Sequence, residues 1–197
     1  MWATVVNRDG VVCAVAFTGD DRGDQWPGSR VISAQKANTA NAFSLPGLAL
    51  STANIYSAVQ PGGSLFGLQA SNPVNTDVAY GGNPANNGQS NDPMEGGRIG
   101  GVNVFGGGLA LFATGKKMVG GIGVSGDTSC ADHFIAWRLR KNLNLDHLAG
   151  VGGVSGDTQR PDNIVFDIGA NGQSAGGFGH PKCLMTGNEK MLPAVEP

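Results

Sequence analysis

The chain is poor in charge. Only 14% of its 197 residues are Asp, Glu, Lys or Arg, and the formal net charge is −2. It has no Lys/Arg run or basic stripe. That argues against nucleic acid as a partner, because phosphate neutralisation needs clustered cations. No apolar run reaches the roughly 18–20 residues a membrane helix requires, so no membrane span is expected. No cleavable leader is visible either, since Met1-Trp2 leads directly into a β-prone run. Cysteine is scarce: only Cys13, Cys130 and Cys183 occur. They make no C-x-x-C or C-x-x-C-H spacing, which disfavours a redox dithiol motif, a zinc ribbon and covalent c-type haem. The histidines make no H-x-x-x-H or H-E-x-x-H pattern, so no protein-built metal site is indicated.

Glycine is abundant, at 33 residues, and hydrophobic residues make up 40%. There is no Gly-X-Y period, so the chain is globular rather than collagen-like. Its length suits one domain over residues 1–197. The glycines cluster, as in Gly106-Gly107-Gly108, Gly120-Gly121 and Gly152-Gly153, which indicates tight turns and close backbone approaches.

Trp2 to Val6 and Val11 to Phe17 are β-prone and flank an Asp9-Gly10 turn, so they predict a hairpin. Cys13 lies in the second run and reads as a buried free thiol. Arg30 to Phe43 lacks Gly and Pro. Val31, Ala34, Ala37, Ala40 and Phe43 recur at three-residue steps, which predicts a helix with that side on a sheet. Residues 48–70 predict one or two short helices, and residues 71–101 a long Asn/Gly/Pro-rich loop. Val102 to Phe105, Gly108 to Ala113 and Met118 to Val124 are β-prone. The glycines of the last run imply that something packs close to its backbone. Cys130 to Asn142 predicts a second long helix. Asp127, Thr128 and Ser129 are its N-cap candidates, Ala131, Ile135 and Leu139 with Phe134 its core stripe, and Arg138, Arg140 and Lys141 offset its dipole. The rest is Gly-rich, with one β-prone run at Asn163 to Phe166, and reads as a tail wrapping the domain. Val124-Ser125-Gly126-Asp127-Thr128 recurs as Val154-Ser155-Gly156-Asp157-Thr158. The flanks differ, so the repeat reads as two independent turns.

Four words occur in order: VVNRDGVVCAVAF at Val5 to Phe17, SAQKANTANAF at Ser33 to Phe43, FGGGLAL at Phe105 to Leu111, and GKKMVGGIGVSGDTSCAD at Gly115 to Asp132. Together they resemble the GlcG/HbpS-like family, known for haem binding and haem degradation. The likeness covers about half of the chain, in two blocks. It implies an α+β, profilin-like fold, an antiparallel sheet flanked by helices. It also implies a homo-oligomer, and for some members haem or iron binding or work beside a protein partner. The sequence departs from the family in three ways. The helix that ordinarily precedes the first strand is missing, an irregular insertion spans about 45–101, and an extension follows, about 143–197. The family's haem ligand maps onto no matching residue.

The junction Val124 to Asp132 is the best candidate site, because a Gly-rich strand there meets a helix start with unpaired N–H groups. An anion such as a haem propionate can dock there, with Ser125, Gly126, Thr128 and Ser129 as donors and Gly106, Gly107 and Gly108 lining the same pocket. Asp127 opposes an anion and can cap the helix itself, which is the plainer reading. His133 is the candidate haem axial ligand or general base, a packed or surface histidine being the alternative. Trp137, at i+4, can stack on it. Lys36 can hold an anion or simply face water. Cys130 and Cys183 can form a disulfide, which implies a periplasmic or secreted protein. If they stay reduced, a cytoplasmic protein is implied. No nucleophile elbow or phosphate loop is present. The expected function is therefore non-catalytic binding of haem or a small anionic ligand. The alternatives are an oligomeric accessory subunit bound to another protein and an enzyme acting on small hydroxy or keto acids.

Overall fold

A computed structural model describes residues 1–184 and 186–197 of the chain. The predicted hairpin forms from β1 (Trp2–Asn7) and β2 (Val12–Phe17). Its turn is made locally. Asn7 Oδ1 accepts from the N–H groups of Asp9 and Val11 at 2.9 and 3.0 Å, and Gly10 takes a left-handed φ of 75°. The second hairpin joins β3 (Gly108–Ala113) to β4 (Lys117–Ser125). The four strands form one antiparallel sheet in the order β2-β1-β4-β3, the α+β architecture expected.

Helix α1 (Ser29–Phe43) lies on one face of the sheet. The expected row of Val31, Ala34, Ala37 and Ala40 is buried there. The glycines of β4 explain how close the helix comes. A Cβ on Gly121 would collide with the Ala37 carbonyl, and one on Gly123 with the Ser33 carbonyl. The opposite side of α1 is buried too, because the insertion covers it. Arg30 pairs with Asp92 (Nε–Oδ2 2.9 Å), and Asn38 Nδ2 donates to Gly101 O at 2.8 Å. The insertion has little regular structure. It holds three short helices, α2 (Thr52–Ile55), α3 (Leu68–Ser71) and α4 (Thr76–Tyr80).

Helix α5 (Ser129–Asn142) packs on the other face, over β3 and β4. Its buried side corrects the expected stripe. Ile135 is 37% exposed, and Ala131 and Leu139 are only partly covered. Phe134 is buried as expected, and with it Cys130, Asp132, His133, Ala136, Trp137 and Arg140. The cause is the extension, whose Leu148, Val151, Ile164, Leu192 and Val195 share one core with Phe134 and Trp137. Arg140 does not sit in the last turn as a solvated charge. It is fully buried, bonded to both carboxylate oxygens of Asp162 at 2.6 and 3.0 Å and stacked on Trp137.

Three further expectations are corrected. Val102 to Phe105 forms no strand. Its backbone bonds to side chains, as in Asn103 N–H to Thr39 Oγ1 at 3.0 Å, while Leu145 and His147 bond to β3's Phe112 instead. Asn163 to Phe166 forms none either. Cys13 is exposed, because β2 is the edge strand and buries only Val12 and Val15. The two copies of the repeat differ in structure. The first ends β4 and caps α5, whereas the second is a turn in which Ser155 Oγ donates to Arg160 O at 2.7 Å.

Candidate functional site

The start of α1, the end of β4 and the first turn of α5 meet at a cleft of about 390 Å³. Ser29, Ile32 and Lys36 come from α1, Ser125 from the end of β4, Gly126 and Asp127 from the turn that follows it, and Ser129 and Asp132 from α5. Trp26 and Phe105, 73% and 45% exposed, stand at its rim. The cleft size falls within the range of small-ligand sites.

Lys36 is the residue whose setting departs most from an ordinary helical lysine. It is buried, and its Nζ donates to Asp132 Oδ2 at 2.8 Å and to Val124 O at 3.0 Å. Burial pushes the Lys36 amine below the usual lysine range and the Asp132 carboxyl above the usual carboxylate range, while each partner's charge opposes the other's shift. The pair is therefore nearly neutral as a unit. Asp132 Oδ1 also accepts from Asp127 N–H at 3.0 Å and so shapes the turn into α5.

Two helix starts add partial positive charge at the cleft, against the carboxylate of Asp127 in its lining. The N-cap of α1 is Gly28, which supplies no side-chain acceptor, and no acid lies in the helix's first turn. Thr128 caps α5, its Oγ1 accepting from Ala131 N–H at 3.3 Å. Asp127, the rival cap, instead accepts from Thr128 N–H at 2.6 Å. Ser29 and Ser125 are 6% and 5% exposed. Both line the cleft, and among the described residues neither hydroxyl makes a hydrogen bond.

Of the expected site residues, Lys36, Ser125, Gly126 and Ser129 line the cleft. Thr128 is spent as a cap. Gly106, Gly107 and Gly108 stand behind the wall. A Cβ on Gly106 would strike the Ser129 carbonyl, and one on Gly107 would lie 3.1 Å from Lys36 Nζ and 2.9 Å from Asp132 Cβ. Their role is to let α5 and the ion pair approach the strand. Gly107 adopts φ 115°, a region open to glycine alone.

His133 lies outside the cleft. It is fully buried, and its Nε2 accepts the Ile164 N–H at 3.2 Å beside Asn163 Oδ1. Burial lowers its pKa to about 3. The Trp137 ring lies 5.9 Å away, as the i+4 spacing suggested. His133 is thus enclosed under the extension and presents neither nitrogen to the cleft. The lining of the cleft supplies anion seats and aromatic faces, but no His, Cys, Met or Tyr to act as an axial ligand. Haem's carboxylates fit this cleft, and its iron finds no ligand in it. Trp26 and Ser29 were missed from the sequence, since nothing local marks a loop tryptophan as the neighbour of a strand end more than 95 positions on.

Cys130 and Cys183 form a disulfide with Cα atoms 6.0 Å apart. It ties the extension to the first turn of α5. Among the described residues no helix is long and apolar enough to cross a membrane.

The crystal structure of a PduOC:heme complex aligns with this chain at a TM-score of 0.50 and 24% identity, covering 73% of this chain and 78% of that one. At that identity the likeness speaks to the fold. The crystal structure of the Klebsiella pneumoniae protein ORFY aligns at 0.44 with 29% identity, covering 68% of each chain. No curated protein matches the chain significantly. Residues 1–139 match the family described as haem degrading protein HbpS-like, which is well over half of the 197 residues. The chain belongs to the HbpS-like haem-degrading family.

Proposed function

We propose that the cleft binds a small ligand through a carboxylate or similar anionic group, and that the chain acts by binding rather than by catalysis. Haem, held through its propionates, is the ligand that family membership favours. The observation that carries this reading is the convergence of two long helix starts on the cleft lined by Ser29 and Ser125, whose hydroxyls bond to no other described residue. The N–H groups of these first turns are largely taken, Ser29's by Trp26 O at 3.0 Å and Cys130's by Cys183 Sγ at 3.3 Å, so the hydroxyls and the helix dipoles are what remain for an anion. Trp26 and Phe105 add faces on which a planar ring can lie. Lys36 and Asp132 largely neutralise each other, so they act as a scaffold rather than as an acid–base pair. The Cys130–Cys183 bridge favours a periplasmic or secreted setting.

The test is a titration with haemin and with metal-free protoporphyrin IX. Because the cleft lacks an axial ligand, both porphyrins are expected to bind with similar affinity. A Ser29→Ala/Ser125→Ala double variant should weaken both by roughly three- to tenfold per lost hydroxyl. His133→Gln should leave them unchanged. The reading fails if neither porphyrin nor any small carboxylate shifts the melting temperature, or if the double variant binds as well as the parent.

A second reading, a homo-oligomeric accessory subunit, is favoured by one separate observation. An apolar groove of about 400 Å³ runs between the sheet and α5, lined by Ala3, Ala16, Phe17, Ile135 and Leu139. Light scattering distinguishes it, since a monomer at high concentration removes it.

A further inference from the structure

The Cys130–Cys183 bridge abuts the cleft wall, and its two sulfurs are not equivalent. Cys130 is the second residue of α5 and is fully buried. Cys183 is half-buried and precedes Leu184, which is 90% exposed. A thiol arriving from solvent therefore reaches Cys183 Sγ and not Cys130 Sγ. The sulfur that would leave is also the better placed to carry charge. Cys130 sits in the first turn of a 14-residue helix, and the Cys183 N–H donates to its Sγ at 3.3 Å. The acid of that turn, Asp132, is offset by Lys36 at 2.8 Å. The bridge also touches the cleft. Ser129 Oγ lies 3.7 Å from Cys183 Sγ, and the Cys130 N–H points at the same sulfur at 3.3 Å.

We propose that Cys130–Cys183 is an exchangeable disulfide that small thiols open at Cys183, and that opening it frees the first turn of α5 toward the cleft. The thiolate of a low-molecular-weight thiol attacks Cys183 Sγ. The bond between Cys130 and Cys183 breaks, its electron pair leaves on Cys130 Sγ, and a mixed disulfide remains on Cys183. A second thiolate attacks the small-molecule sulfur of that mixed disulfide. Cys183 then leaves as a thiolate and takes a proton from water, and the two small thiols depart joined as their disulfide. The protein gains two electrons and the thiol pair loses two. The Ser129 hydroxyl and the Cys130 N–H lose a sulfur neighbour and turn to the ligand. The exchange chemistry stands without the ligand reading above, whereas its effect on the cleft rests on it.

The test uses the full-length folded protein carrying Cys13→Ser, so that the exposed free thiol cannot shuffle the bridge. The protein is incubated with glutathione, acid-quenched, alkylated and peptide-mapped by mass spectrometry. The expected result is a glutathione adduct on Cys183 with Cys130 alkylated. An adduct on Cys130, or exchange seen only in urea, overturns the proposal. The coupling is read by titrating protoporphyrin IX into oxidised and reduced protein and into Cys183→Ser. Binding should tighten roughly threefold on opening, the worth of one freed donor. Unchanged affinity alongside exchange at Cys183 overturns the coupling. Absence of porphyrin binding in every form overturns the ligand reading and leaves the exchange result standing.

Discussion

At Gly123 the side chain that is missing matters more than one that is present. Any Cβ there would meet the Ser33 carbonyl and the backbone of Ala37, so α1 rests directly on the strand. Backbone cannot move aside as a flexible side chain can, so Gly123→Ala is expected to cost about 3 kcal/mol in chemical denaturation, the upper part of the range for overpacked sites. Gly28 is the matched control. It has an ordinary helical φ of −64° and open space around it, so Gly28→Ala should be neutral or slightly stabilising. Equal effects at the two positions would refute this account of the glycine-rich strand. His133 makes the other single-residue prediction. Its neutral form accepts the Ile164 N–H, and its pKa of about 3 lies below the ordinary 6.5. Below pH 6.5 the folded state therefore binds fewer protons than the unfolded one. The contribution is intact above that pH and is lost as pH falls toward 3, by up to about 1.4 kcal/mol per unit. NMR should show a His133 imidazole that stays unprotonated from pH 7 to pH 5, and a His133 that titrates normally would remove the claim.

The elements differ in how legible they were. Both hairpins and both long helices could be read in the sequence because their signals are local. Asp9-Gly10 makes its turn with Asn7, and the alanine row of α1 faces one sheet. The close approach to β4 was legible too, since a strand that gives up side chains at Gly121 and Gly123 needs a neighbour in their place. The buried face of α5 was not legible. Period alone cannot show that Arg140 will meet Asp162, 22 positions on, or that Cys130 will bond to Cys183. Polar residues here occupy the side that a hydrophobic count assigns to water. The site divides in the same way. Ser125, Gly126 and Ser129 lie in one short stretch and were found together. Lys36 was found only because its helix carries a family word, and Trp26 was not found at all. His133 was misplaced because a lone helical histidine carries no mark of its partner, Asn163.

For the molecule as a whole, the decisive question is whether the family region is a folded unit by itself. The family match ends at residue 139, but the core does not. Leu148, Val151, Ile164, Leu192 and Val195 pack with Phe134 and Trp137. Asp162 neutralises the buried Arg140, and Asn163, whose carbonyl accepts from Asn54 Nδ2 at 2.9 Å, and Cys183 fasten two more points of the extension. Removing the extension would leave Arg140 without its counter-ion, a change that alone costs about 3–5 kcal/mol when a buried pair is broken. It would also remove a closed loop spanning 53 positions, worth about 4 kcal/mol of chain entropy in the unfolded state. Either loss is comparable to the whole stability of an ordinary domain. A chain cut after Asn142 is therefore expected to lack a cooperative melting transition and to bind hydrophobic dyes. If that shortened chain instead melted within a few degrees of the full one, the extension would be an accessory, and the burial of Arg140 would need another source of compensation.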